Sequence, residues 1–201
     1  MVRTNCIKKS YIFCLLLLVV SANLFVDLIV SAKPAINTKI NYYNVTGQTI
    51  KEIANSLYKN SPIIDQGKKY HAHTSWNVKW HFYWQKYSNY CEITSVTTSV
   101  DIQYILPKLI SYNSLSPSVK QKWDQYYTAL INHESVHKNF GISSADSIEK
   151  TLKTMGTRNT CQQLEKDAIK IGKQIIKYYN DQEKQYDQIT NHGATQGANF
   201  P

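Results

Sequence analysis

A chain of 201 residues, 42% hydrophobic and 18% charged, is long enough for one domain with an ordinary core and too short for several. Its net charge of +9 rests on scattered lysines, and Arg158 is the only arginine after Arg3. Without an arginine-rich reading stripe, nucleic acid is excluded as the expected partner, and the charge serves solubility or adhesion to an anionic envelope.

Arg3, Lys8 and Lys9 precede the apolar run "YIFCLLLLVVSANLFVDLIVSA". A basic flank, an apolar stretch and small residues at Val30-Ser31-Ala32 predict an export signal over residues 1–32. Val20-Ser21-Ala22 offers an earlier cleavage site. The alternative is an uncleaved anchor, against which Asp27 argues. Residues 33–201 are then one domain, secreted or periplasmic, that meets a membrane only through the leader if it is kept. Cys6 and Cys14 belong to the leader, and no lipobox precedes Cys14. Cys91 and Cys161 remain, and an even pair in an exported chain predicts one disulfide. It closes a loop of about 70 residues, worth roughly 4 kcal/mol in the chain-entropy model.

Residues 38–46 predict a strand ended by Gly47. Thr49 and Glu52 form a capping box for a short helix whose stripe is Ile50, Ile53 and Leu57. Ser61-Pro62 opens a polar loop. Trp76, Val78, Trp80, Phe82 and Trp84 alternate with polar or exposed positions, which predicts a strand over 74–84 with one aromatic, buried face. A second β run over 91–106 pairs with it as a long antiparallel hairpin, and Pro107 is expected to stop it. Ser116-Pro117 starts a helix with serine at the N-cap and proline at N1. Gly141 caps or bends it, and a further stripe runs from Ile142 to Met155. Thr160 and Gln163 cap a last long helix from Cys161 to about Tyr179, followed by a turn-rich tail. The fold class is α+β: an antiparallel hairpin or sheet against a zincin-like helix and further helices.

The chemistry sits in "INHESVHKNF". Val119, Trp123, Tyr126, Leu130, His133 and His137 follow one another at helical spacing, so both histidines lie on the core-facing stripe. Residues four apart lie one turn apart, and two imidazoles so placed can reach one ion. Glu134, one position on, can touch water bound to that ion. Zinc, the expected cofactor, lowers such water's pKa towards 7, and Glu134 is the expected general base. A catalytic zinc takes a third protein ligand, for which Glu149, Glu165, Asp187 and His192 are the candidates. His71, His73 and His81 share one parity of the β segment and face substrate, a second metal or plain solvent. Tyr83 and Tyr186 are candidate oxyanion donors.

The stretches "YYNVTGQTIKEI", "HTSWNVKWHFYW", Cys91 at the start of the next strand, Leu106-Pro107, Trp123, "HESVH" and "YDQITNHGATQG" together resemble a bacterial family of predicted secreted zinc-dependent proteases. The family pattern has glycine before the second histidine, where Val136 stands here. The resemblance implies that Tyr186, Asp187, Thr190, His192 and Gly193 belong to the site. It favours His192 as third ligand, with Glu149 as the alternative and Asp187 behind the ligands. The expected activity is that of a zinc metallopeptidase on peptide or protein substrates. A non-catalytic zinc-containing envelope protein and a peptidoglycan amidase are the competing readings.

Overall fold

A computed structural model describes residues 33–65 and 67–201; the leader expected over 1–32 lies outside the described residues. The aromatic alternation becomes strand β4 (His73–Lys86), paired antiparallel with β5 (Cys91–Leu109) in the register Trp76↔Ile102, Val78↔Val100, Trp80↔Thr98. Strand β1 (Ala35–Val45) lies along the other side of β5, parallel to it, with Ile36 opposite Val100 and Tyr43 opposite Pro107. The sheet order is β1-β5-β4, so the longest strand is central. The α+β class read from the sequence is what the structure shows.

Pro107 does not stop β5, which runs two residues further to Leu109. Proline has no N–H to give a second neighbour. Pairing with β4 ends at His73↔Ile105, so at Pro107 the strand has only β1 beside it and a donor on the other side would find no partner.

Between β1 and β4 come helix α1 (Ile50–Asn60) and a small hairpin, β2 (Ile63–Asp65) and β3 (Lys68–Tyr70). The Thr49–Glu52 capping box forms as expected. The hairpin stands where the sequence suggested a polar loop; strands this short carry too little alternation to be read from a sequence.

Helix α2 (Pro117–Lys153) is one unbroken helix of 37 residues with Pro117 in its first turn. Gly141 does not end it. A Cβ there would lie 2.7 Å from Trp76, so the glycine admits the indole against the helix backbone. Gly172 does the same for Trp80 on helix α3 (Cys161–Thr190), where a Cβ would stand 2.6 Å from the ring. Two tryptophans of β4 thus key two helices onto one sheet, packing that turns on missing methyls rather than on flexibility.

The buried face of β5 supplies Val96, Val100, Ile102, Tyr104 and Leu106, and α2 covers it with Trp123, Tyr126, Leu130, Ala145, Ile148 and Leu152. Cys91 and Cys161 form the expected disulfide, with Cα atoms 5.2 Å apart. It joins the start of β5 to the first residue of α3, beside the Cys91–Arg158 bridge. Among the described residues, no helix is long and apolar enough to cross a membrane.

Candidate metal centre

Helical spacing places His133 and His137 on the buried stripe of α2, and the structure buries both. Their Nε2 atoms are 3.1 Å apart. Asp187 Oδ1 reaches down from α3 to 3.2 Å from His133 Nε2 and 3.1 Å from His137 Nε2. These three side chains form the one group of potential metal ligands found among the described residues. Around a tetrahedral zinc with bonds of about 2.0–2.1 Å, neighbouring ligand atoms lie roughly 3.3 Å apart. The three donor atoms therefore already stand at coordination spacing.

The far sides of both imidazoles are occupied. His133 Nδ1 lies 3.0 Å from Gln196 Oε1, which also accepts the Tyr186 hydroxyl at 3.1 Å. His137 Nδ1 lies 3.0 Å from Glu183 Oε1, which also accepts the Trp76 indole N–H at 3.3 Å. Acceptors at both Nδ1 atoms keep the ring protons there and turn the Nε2 lone pairs inward. Two lone pairs facing one carboxylate oxygen require a shared cation or proton between them. His133, His137 and Asp187 could therefore hold a metal ion, and the donor chemistry fits one.

Charge within the group follows the same logic. Burial works against protonation of His137, but hydrogen bonds to Asp187 and Glu183 prevail and push it up to about 10. Burial alone would raise the Asp187 carboxyl, yet the two imidazoles hold it well below the usual carboxylate range. Glu134 is buried on the same turn, and burial raises its carboxyl, offset in part by the Thr74 hydrogen bond and by His137 and His133. Thr74 Oγ1 donates to Glu134 Oε2 at 2.5 Å.

The tail motif holds His133 in place. The Tyr186 ring stacks on His133 with centroids 4.9 Å apart and planes 17° apart. On the other flank Gly193, at φ +81°, leaves room where a Cβ would stand 2.9 Å from His133 Cγ. Thr190 Oγ1 accepts the Gly193 N–H and donates to the Tyr186 carbonyl, fastening the turn that ends α3.

Several expectations are relocated by this geometry. Asp187, one of the third-ligand candidates in the sequence but set behind the ligands by the family resemblance, supplies the third inward atom. His192 stands outside the three-atom group, its Nδ1 3.7 Å from Asp187 Oδ2, because the left-handed turn after α3 carries its ring to the rim. Glu149 is twelve residues, or about 18 Å of helix, beyond His137. It is buried in a different place, bonded to Thr98 and Lys153. Glu165 accepts the Trp84 indole N–H, also elsewhere. The Tyr186 hydroxyl is taken by Gln196. Tyr83 is 67% exposed and outside the cleft lining. His73 and His81 lie on the same exposed face of β4, but of the two only His73 lines the cleft; His71 precedes β4, lines the cleft as well and meets the Tyr126 hydroxyl.

The group opens into a cleft of about 880 Å³. Its floor is α2 with His133, Glu134 and His137; its walls are the β2–β3 hairpin with the start of β4, and the end of α3 with the tail. Sequence reasoning misses Glu183, Gln196, Thr74 and Tyr70. Glu183 alone carries a usable signal, lying one helical turn before Asp187.

Glu183→Ala is expected to weaken metal binding about 10–100-fold while leaving the fold intact, the usual cost of losing an outer hydrogen-bond partner. Competition with a chromogenic chelator measures it. Unchanged affinity would show that Glu183 does not orient His137.

Fold and site together define an α+β protein with a two-histidine, one-aspartate group shared between α2 and α3. Residues 40–193 match the family described as bacterial protein of unknown function (DUF922), and the chain belongs to that family. The match includes the motif helix, Asp187 and His192 and ends at Gly193. No curated protein and no solved structure matches the chain.

Proposed function

We propose that the protein is a zinc-dependent hydrolase that cleaves amide bonds of peptides or proteins outside the cytoplasm. The observation that carries this reading is the convergence of three donor atoms at 3.1–3.2 Å in the same cleft as a buried glutamate. A structural zinc prefers four closed protein ligands; here three protein donors converge and the fourth side opens into the cleft. A zinc ion on this group would polarise a carbonyl and lower the pKa of water at the open position. Glu134 takes the proton as the water oxygen adds to the carbonyl carbon. It returns that proton to the nitrogen as the C–N bond breaks. Thr74 holds the carboxylate on the cleft side of the helix.

Two further features support a peptide as substrate. β4 is an edge strand, and His73–Trp76 of that strand border the cleft. An extended chain can add to such an edge by main-chain hydrogen bonds. The Cys91–Cys161 disulfide supports an oxidising compartment, hence export.

The test is to strip the protein with chelator, restore zinc stepwise and measure new amino groups from an unfolded protein substrate. Cleavage should rise with zinc and saturate near one ion per chain. Tight stoichiometric zinc with no new amino groups would leave the non-catalytic reading in possession of the site.

A further inference from the structure

Hydrolysis at this group needs a donor for the oxygen that becomes negative when the carbonyl is attacked. Neither tyrosine suggested by the sequence is free to supply it: Tyr186 is bound to Gln196 and Tyr83 lies outside the cleft. Tyr126, on the motif helix, has its hydroxyl engaged by His71 Nδ1 at 2.9 Å.

We propose that Tyr70 and His192 form a paired donor on the rim of the cleft that receives this oxygen, a role that rests on the hydrolase reading. Tyr70 ends β3 and His192 lies in the turn after α3, 122 residues later in the chain. Their rings meet with centroids 4.5 Å apart, and Tyr70 Oη stands 3.4 Å from His192 Nε2. His192 Nδ1 faces Asp187 Oδ2, the oxygen that the three-atom group leaves over, at 3.7 Å. The pair therefore borders the metal group without belonging to it. Both residues line the same cleft as His133, Glu134, His137 and Asp187.

The backbone supports a role for this histidine. Asn191, His192 and Gly193 have φ of +47°, +50° and +81°. A left-handed conformation is cheap for glycine and uncommon for any residue with a side chain, and such positions collect at functional sites. Among the bonds that hold the turn are His192 N–H to the Asp187 carbonyl at 2.8 Å and Gly193 N–H to Thr190 Oγ1 at 3.2 Å. The same turn that presses Gly193 against His133 thus sets His192 on the rim.

The contact between the two side chains is long for a hydrogen bond, and the His192 side chain is 41% exposed. Neither donor is committed to the other, so both can turn to substrate. As the water oxygen adds to the carbonyl carbon, the C=O π pair moves onto the carbonyl oxygen. The Tyr70 O–H and the His192 ring N–H hydrogen-bond that oxygen, and no proton need leave either. When the C–N bond breaks, the pair of electrons returns to re-form the carbonyl.

The experiment uses Tyr70→Phe and His192→Ala in the zinc-loaded protein with three readouts. Zinc content should stay at the wild-type level in both. Turnover should fall about 10²–10³-fold with KM changed much less, the size expected for losing one such donor. Affinity for a phosphinic peptide with alanine on both sides of the phosphorus, a tetrahedral oxyanion mimic, should fall by a comparable factor. Zinc loss in His192→Ala would make His192 a ligand and overturn the pairing. Phosphinic-peptide affinity equal in wild type and both variants would overturn it whatever the turnover. Weakened phosphinic-peptide binding in the variants, with wild type cleaving nothing, would keep the donor pair and remove the hydrolase reading.

Discussion

Asp187→Ala is expected to cost at least about a hundredfold in zinc affinity, more than the 10–100-fold that loss of an outer hydrogen-bond partner brings. The carboxylate is the only anionic donor in the group, and its Oδ1 touches both inward nitrogens at 3.1–3.2 Å. Alanine would leave two imidazoles facing each other across 3.1 Å with one open side more. His192→Ala and Glu149→Ala serve as the contrast. Each is a candidate third ligand from the sequence, and each should keep zinc, His192 because it stands at the rim, Glu149 because it is about 18 Å of helix away. Glu149→Ala should instead lower the melting temperature, since it removes the partner of Thr98 in the core. Elemental analysis after dialysis, with circular dichroism to confirm folding, decides the assignment. Zinc retained by Asp187→Ala and lost by His192→Ala would reverse it.

Helical periodicity makes two of the three donors visible in the sequence and hides the third. His133 and His137 extend an apolar stripe that begins at Val119, so the spacing reaches them directly. Asp187 lies in "NDQEKQYDQIT", which has no such stripe, and the sequence therefore predicts an end to the last helix near Tyr179. The helix in fact continues to Thr190. Its inward face over that stretch meets the polar cleft rather than the core, so Asn180, Glu183 and Asp187 take the places apolar residues hold elsewhere. Periodicity of hydrophobicity cannot see a buried face whose partners are histidines. Gly141 and Gly172 are opaque for a related reason: their role is set by Trp76 and Trp80, far away in sequence. The hairpin of β4 and β5 is legible because its alternation and its turn are local. The parallel pairing of β1 with β5 leaves no local mark.

Glu134→Gln should retain zinc at one ion per chain and lose about 10²–10⁴-fold in turnover. Glutamine has nearly the same shape, and its amide oxygen can still accept the Thr74 hydroxyl that now lies 2.5 Å from Glu134 Oε2. None of the three inward donor atoms belongs to Glu134, so the metal has no reason to leave. What the amide cannot do is take a proton from water and hand it to the leaving nitrogen. No other carboxylate lies on the same turn of α2 to replace it. Thr74→Val offers an intermediate case: it keeps the base and removes its tether, so turnover should fall less while zinc is unchanged. Zinc content, melting temperature and initial rates on one unfolded substrate would be measured for wild type and both variants. If Glu134→Gln cleaves at the wild-type rate with zinc in place, Glu134 is not the base. If it loses zinc instead, the carboxylate shapes the metal group rather than acting on what the metal holds.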